Sequence, residues 1–239
     1  GMEEKQFVEA LHHRNLPLTS RQEEQFRRYY HLLVEWNERI NLTTLTQKEE
    51  VYLKHFYDSL TPAFYLDFSS IQKVADIGSG AGFPGLPLKI CFSHLQLTIV
   101  DALKKRLLFL EHVVDELQLS GVSLVHTRAE DGGKDPKQRE QFELVLARAV
   151  ARLSVLVELC LPFVQVGGLF VALKGAKGRE EAEEAKGAIR KLGGRLEKVE
   201  SFQLPFEGGE RQLLFIKKEH PTPSRYPRRA GTPAKNPLR

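Results

Sequence analysis

Residues 76–85, Asp-Ile-Gly-Ser-Gly-Ala-Gly-Phe-Pro-Gly, are the part of this chain whose types and spacing can do chemistry. A short apolar run, 71–77, feeds a loop holding Gly78, Gly80, Gly82 and Gly85. A second apolar run, 95–100, ends at Asp101. Glycine tolerates positive φ and lets a ligand approach the backbone without a Cβ in the way. A Gly-rich turn from strand to helix, with an acid at the tip of the next strand, is the geometry of a nucleoside site. The backbone of Gly78, Ser79 and Gly80 would cradle the ligand, and the Asp101 carboxylate would accept hydrogen bonds from ribose hydroxyls. Asp101 lies 19 residues after Gly82, close to the roughly 20 that such sites use.

The identity of the nucleoside turns on one acid. A dinucleotide loop reads Gly-x-Gly-x-x-Gly and aims a helix N-terminus at a pyrophosphate. Residues 80–85 fit that pattern only loosely. Asp76, two residues before Gly78, would repel a pyrophosphate but suits a ligand with a cationic amino acid end. S-adenosylmethionine, with its ammonium and sulfonium, is such a ligand. The order Asp-x-Gly-x-Gly-x-Gly also resembles motif I of the class I methyltransferases. A nicotinamide-dependent oxidoreductase is the competing enzyme class. It predicts NAD(H) binding in place of S-adenosylmethionine.

The elements that must position this loop are legible as periodicity. Residues 2–67 read as an N-terminal helical region, with Phe7, Leu11, Phe26, Tyr29, Tyr30 and Leu33 at helical spacing. Thr19 or Ser20 offers an N-cap, with Glu23 available for a capping box. In 51–64, Tyr52, His55, Phe56 and Ser59 would share one helical face. From 71 onward, short β-branched runs at 71–77, 95–100, 122–126, 144–147 and 169–173 alternate with helix-length segments at 104–119 and 153–164. That alternation predicts a parallel, doubly wound sheet. A charged helix over 179–192 follows, then runs at 196–204 and 212–217 too close together for a crossover helix. They should form an antiparallel hairpin. The expected fold is α/β: a class I methyltransferase-like (Rossmann-like), seven-stranded, mostly parallel sheet with a C-terminal hairpin and an N-terminal helical extension. The methyltransferase domain would span 68–219. The tail, 220–239, is rich in proline, lacks acids and carries Arg225, Arg228, Arg229, Lys235 and Arg239. It should run extended over the surface or be ordered by a partner.

Composition narrows the class. The apolar fraction of 41% suffices for a core, and the net charge of +4 is concentrated near the strand ends and in the tail. Residues 153–173 are apolar enough to raise a membrane question, but Glu158, Pro162, Gln165 and Gly167-Gly168 interrupt them, so a buried helix, turn and strand is expected. No secretory pattern opens the sequence, which predicts a cytoplasmic protein. Cys91 and Cys160 sit among apolar residues and read as core side chains, and no metal-ligand spacing is visible.

Several chemistries are excluded by spacing. His55, Asp58 and Ser59 invite a triad reading, but adjacent turns of one helix cannot assemble attack geometry with an oxyanion hole. They are expected in the cofactor-side wall instead. The loop lacks the Gly-Lys-Ser/Thr ending of a P-loop. At the end of the fourth strand, 146–152 reads Leu-Ala-Arg-Ala-Val-Ala-Arg, without the Asn/Asp-Pro-Pro-aromatic signature of exocyclic amine methylation. Neither cysteine is placed like the nucleophile of a carbon-5 pyrimidine enzyme. What remains is a nucleophile needing no base, such as guanine N7, whose lone pair is free at neutral pH. The enzyme then has only to align it and exclude water, so no catalytic side chain is assigned. Arg148, Arg152 and Lys174 at the strand ends, with Arg225, Arg228 and Arg229 in the tail, suggest contact with an RNA backbone.

Read together, these motifs resemble one family. Residues 76–87, Trp36-Asn37 with 40–43, His55 with Asp58-Ser59-Leu60, the run 147–151 and the tail 227–237 are similar to the small-subunit ribosomal RNA methyltransferase G family (RsmG), also called glucose-inhibited division protein B (GidB). The resemblance implies methylation of guanine N7 in 16S ribosomal RNA, with S-adenosylmethionine as donor. The substrate would be the RNA, the small ribosomal subunit or its assembly intermediate. The resemblance also implies that Gly78, Phe83, Ala129, Glu130 and Arg148 bind the cofactor. A non-catalytic ribosome-binding module on the same fold is the remaining alternative. It predicts that Gly78→Arg leaves the biological activity intact.

Overall fold

A computed structural model describes residues 1–148 and 151–239. Seven strands form one sheet: β1 (Lys73–Ile77), β2 (Gln96–Asp101), β3 (Val122–His126), β4 (Phe142–Arg148), β5 (Val164–Lys174), β6 (Gly194–Leu204) and β7 (Gly209–Lys218). Their spatial order is β3-β2-β1-β4-β5-β7-β6. β7 is antiparallel to both neighbours, and β1 to β5 run parallel. The hairpin therefore folds back so that its second strand, not its first, joins the sheet. The order reverses at β1, between β2 and β4. Open α/β sheets bind ligands at such a point, outside the carboxyl ends of the strands.

Two cores flank the sheet. On one side, α1 (Glu4–His13) and α2 (Ser20–Asn37) pack with α5 (Gly85–Cys91) and α6 (Lys104–Glu116). The N-terminal helices share this core with Leu144, Val171 and Phe215 of the sheet. Phe7, Phe26, Tyr52 and Phe56 are fully enclosed there, and Phe7 meets Tyr52 edge-on at 5.1 Å. Each such ring contributes about 1.5–3 kcal/mol by burial. On the other side, α8 (Leu153–Cys160), α9 (Gly178–Glu184) and α10 (Lys186–Lys191) cover the sheet. No described helix is long and apolar enough to cross a membrane. The apolar stretch 153–173 is instead α8, a 3-10 turn at Leu161–Phe163 and β5.

Local departures from the expected elements have identifiable causes. Thr19 caps α2, and its box partner is Gln22 rather than Glu23. Thr19 Oγ1 accepts from the Gln22 amide at 3.1 Å, and Gln22 Oε1 accepts from the Thr19 amide at 2.8 Å. Between α3 (Lys48–Val51) and α4 (Asp58–Leu60), residues Tyr52–Tyr57 are π-helical. The segment is buried on nearly every side rather than on the single face that its spacing suggests. The tail also differs from expectation. It is a packed strap, with Thr222, Tyr226, Pro227 and Pro233 buried and a short helix, α11 (Thr232–Lys235), near its end. Arg139 fastens it by donating to the carbonyls of Thr222, Pro223 and Tyr226.

Candidate cofactor and substrate site

The loop after β1 lies at the reversal point of the sheet. The Gly78 amide donates to Val100 O at 2.8 Å, tying the loop to the end of β2. Gly80 has φ +61°, and a Cβ there would meet nothing within 4 Å. Its backbone therefore faces open space, as a ligand cradle requires. Gly82, at φ +103°, answers a different demand, because a Cβ there would collide with the Tyr29 hydroxyl and Leu86. That hydroxyl donates to Ala81 O at 2.5 Å, so α2 grips the loop directly.

Asp101 stands opposite. Its Oδ1 accepts from the Leu103 amide at 2.8 Å, and its Oδ2 accepts from the Gly80 amide at 3.3 Å. A cavity of about 260 Å³ opens beside it, lined by Gly78, Asp101, Leu103, Ala129 and Leu156 among others. Arg106, Thr127 and Arg128 also line it, and one acid beside the apolar surface of Ile77, Leu103, Leu156 and Leu159 suits an adenosine. Two buried polar atoms in the loop region, Asp76 Oδ1 and Ser79 Oγ, have no partner among the described residues. Buried groups of this kind call for an explanation, and a polar ligand against the loop would supply one for Ser79. These features fit S-adenosylmethionine.

Asp76 itself departs from the simple picture of a surface acid. It is fully buried, and its Oδ2 accepts from the Gly85 amide at 2.7 Å. Burial pushes its pKa well above the usual carboxylate range, offset in part by that amide. Asp76 closes the loop onto the first turn of α5 rather than presenting a charge at the cavity mouth.

Arg148, at the end of β4, is gripped by the π-helical segment. Its Nη1 donates to Lys54 O at 3.0 Å and to Asp58 Oδ2 at 3.2 Å, while Nη2 donates to His55 Nδ1 at 2.9 Å. His55 and Asp58, three residues apart where the π-helical segment runs into α4, both reach the same guanidinium. A guanidinium only donates, so Nδ1 is the acceptor and His55 carries its proton on Nε2, which donates to Thr43 Oγ1 at 2.7 Å. Phe83 stacks on His55 at 4.5 Å, and the Arg148 guanidinium lies 5.2 Å from the centroid of the same Phe83 ring. Ser59 Oγ donates to His55 O in its own helix, so no triad forms.

His55 yields a pH prediction. Desolvation first, then the neighbouring Arg148 charge, lowers its pKa from 6.5 to about 3. Between those values the unfolded chain binds more protons than the folded one, so stability rises with pH across the window. The His55 contribution is complete above about pH 6.5 and is lost as pH falls towards 3, at up to about 1.4 kcal/mol per pH unit. Urea unfolding of wild type and His55→Gln should show a stability difference that narrows from pH 7 to pH 5. A difference independent of pH would mean that His55 is not held neutral.

The remaining expected site residues divide. Ala129 lines the cavity. Glu130, in α7 (Ala129–Gly132), holds the strap instead, accepting from the Gly231 amide at 2.9 Å and pairing with Arg128 at 3.5 Å. Phe83 is a buried ring rather than a cavity wall. Lys174 is also buried, with its ammonium on Glu181 at 3.1 Å and on the Ala151 carbonyl. Arg228 is clamped on Glu158, with Nη2 to Oε1 at 2.7 Å and Nε to Oε2 at 3.0 Å. For Lys174 and Arg228, the expectation of a phosphate contact is corrected, because each neutralises a carboxylate inside the fold. Arg152 is exposed and pairs with Glu184, while Arg225 and Arg229 are exposed on the strap. Ala149 and Val150 of the 147–151 run lie outside the described residues.

Two ion-pair partners, one beside Arg148 and one under the strap, were not assigned from the sequence. Arg211 of β7 donates from Nε to Asp58 Oδ1 at 3.0 Å, making Asp58 a bridge between two arginines. Nothing in the local pattern Glu210-Arg-Gln212 signals that. Glu158 did leave a signal, since a lone acid in an apolar helix needs a buried cation.

Comparison with known proteins places these features. A family model described as rRNA small subunit methyltransferase G (GidB) matches residues 22–214. The ribosomal RNA small subunit methyltransferase G of Bacillus cytotoxicus is 58% identical over 233 residues, which cover 98% of each chain. That of Brevibacillus brevis is 57% identical over 237 residues, covering 99% of this chain and 100% of the relative. Among solved structures, M. jannaschii TYW2 in complex with AdoMet shares the fold, with a TM-score of 0.54 at 13% identity over 72% of this chain and 77% of that one.

Proposed function

The chain belongs to the rRNA small subunit methyltransferase G family, and from that premise we propose that it methylates N7 of a guanine in 16S ribosomal RNA, in the bacterial cytoplasm, with S-adenosylmethionine as donor. The observation that carries this reading is the open Gly-rich loop with Asp101 opposite it, in a chain of this family. Asp101 would hold the ribose, the backbone of Gly78, Ser79 and Gly80 the ligand's flank, and Ala129 the adenine edge of the cavity. The donor supplies an electrophilic methyl group. When bound, the donor would offer that methyl group to a neutral N7 that has no proton to lose, so this chain's residues would not need to supply a general base. The protein's part is alignment and exclusion of water. Support comes from the two candidate bases beside Arg148. His55 has both ring nitrogens engaged and Asp58 bridges two arginines, so neither is poised to take a proton.

Mass mapping of ribosomal RNA from cells with and without the gene tests this directly. One guanine should lose its added methyl group when the gene is absent. Unchanged RNA in the gene-deleted cells would sink the proposal. Calorimetry should find S-adenosylmethionine binding and no NAD(H) binding. Ser59→Ala should keep most methyl transfer, because that hydroxyl serves only its own helix.

The exposed arginines supply RNA contact in this reading. Neutralising Arg225 and Arg229 together should weaken RNA binding across sequences. It should also reduce the salt slope by about 0.7–0.9 for each phosphate no longer neutralised, leaving S-adenosylmethionine affinity unchanged. A double variant with the wild-type slope would remove the strap from the RNA surface.

A further inference from the structure

The Gly-rich loop is fixed at three points outside itself. Val100 at the end of β2 holds the Gly78 amide, Asp76 of β1 holds the Gly85 amide, and Tyr29 of α2 holds the Ala81 carbonyl. The first two anchors belong to the sheet. The third comes from the N-terminal helical region, 52 residues away in the chain. Ser79 O accepts from the Gly82 and Phe83 amides at 3.1 Å, which closes the turn on itself. The Ala81 carbonyl lies outside that turn, and the Tyr29 hydroxyl is its donor among the described residues. The next residue, Gly82, leaves room for that hydroxyl, which a Cβ would strike. Phe83 follows, stacked between the Tyr29 ring at 5.5 Å and the His55 ring at 4.5 Å.

We propose that Tyr29 is a positioning residue for methyl transfer, whose hydroxyl holds the loop in the conformation that receives S-adenosylmethionine. The inference rests on the cofactor reading above. For packing alone a phenylalanine would serve, since Phe7, Phe26 and Phe56 fill the same core. A buried hydroxyl costs stability unless it is used, and this one is used on the loop backbone. Burial also pushes the Tyr29 pKa well above the usual tyrosine range, so the hydroxyl keeps the proton it donates. Without that donor the Ala81 carbonyl is left buried and unpaired. Its easiest relief is rotation of the Ala81–Gly82 peptide, because glycine tolerates a wide range of φ. Gly80, the residue before Ala81, would then shift from its place opposite Asp101, where its amide already sits at 3.3 Å from Oδ2. Helix α2 thereby sets the affinity of a site built on the sheet.

Tyr29→Phe provides the test, because it removes the hydroxyl and keeps the ring in its stack. Calorimetry should find S-adenosylmethionine bound about threefold to tenfold more weakly, the fold-change of one net hydrogen bond. In methyl-transfer assays the KM for S-adenosylmethionine should rise by the same factor, while kcat and the KM for RNA keep their wild-type values. Leu11→Ala loosens the same core from α1. It should lower the melting temperature and leave the affinity for S-adenosylmethionine unchanged, which separates a loosened core from a displaced loop. Wild-type affinity in Tyr29→Phe, whatever its melting temperature, would overturn the assignment, and so would an equal loss of affinity in Leu11→Ala. The calorimetric comparison needs no RNA. A wild-type protein that binds S-adenosylmethionine but leaves ribosomal RNA unmethylated would therefore count against the substrate and not against Tyr29.

Discussion

Arg228→Ala is expected to cost about 3–5 kcal/mol of stability, the usual penalty for stripping one partner from a buried ion pair. The strap should come loose with it. Glu158 is fully buried in α8, and Arg228 gives it three side-chain bonds, from Nε to both oxygens and from Nη2 to Oε1, together with its own backbone amide at 2.8 Å. Alanine would leave that carboxylate with the amide alone. In a chain of this size, the loss corresponds to a fall of roughly 6–20 °C in melting temperature. A double variant, Arg228→Ala with Glu158→Leu, should recover most of it, since an apolar pair in place of a buried ion pair is often neutral. Arg225→Ala, whose guanidinium lies over the Tyr226 ring at the surface, should change stability by less than about 1 kcal/mol. Thermal unfolding, with limited proteolysis of the strap, reads all three. A wild-type melting temperature for Arg228→Ala would show that the Glu158 pair does not hold the tail.

The same pair marks the boundary of what the sequence reveals. Periodicity exposes the strand runs and the hairpin because burial on both faces of a parallel sheet leaves continuous apolar runs. The Gly-rich loop and Asp101 are legible because both requirements are local, a backbone conformation and a strand end. The strap is not, because its stability comes from partners far away in the chain. Arg139 lies more than 80 residues from the carbonyls it holds, and Glu158 is 70 residues from Arg228. A proline-rich, acid-free segment looks unable to fold when the acids it needs are on other elements. The same reasoning covers Arg211, whose partner Asp58 is 153 residues away. Asp76 is visible as an acid but not as a buried one, since its burial depends on α5 closing over β1.

Asp101→Ala should weaken S-adenosylmethionine binding about tenfold to a hundredfold, in line with roughly 1.5–3 kcal/mol for hydrogen bonds to a charged group. The two oxygens of this carboxylate have unequal duties. The bond from the Leu103 amide, 2.8 Å, fixes the side chain at the end of β2, while the bond from the Gly80 amide, 3.3 Å, is long and near the geometric limit. A ribose hydroxyl can therefore be accepted at Oδ2 with little lost from the loop, while Oδ1 keeps the carboxylate aimed. Arg106, 3.7 Å away at the cavity edge, steadies the charge without occupying either direct bond. Asp101→Asn separates these duties. Its amide oxygen can still accept from Leu103, so the side chain should stay aimed, yet the amide nitrogen in place of Oδ2 cannot accept from Gly80 and the charge that strengthens the ribose bonds is gone. Calorimetry should order the affinities as wild type, then Asn, then Ala, with melting temperatures closer together than the affinities. Equal affinities in the three folded proteins would mean that another group holds the ribose.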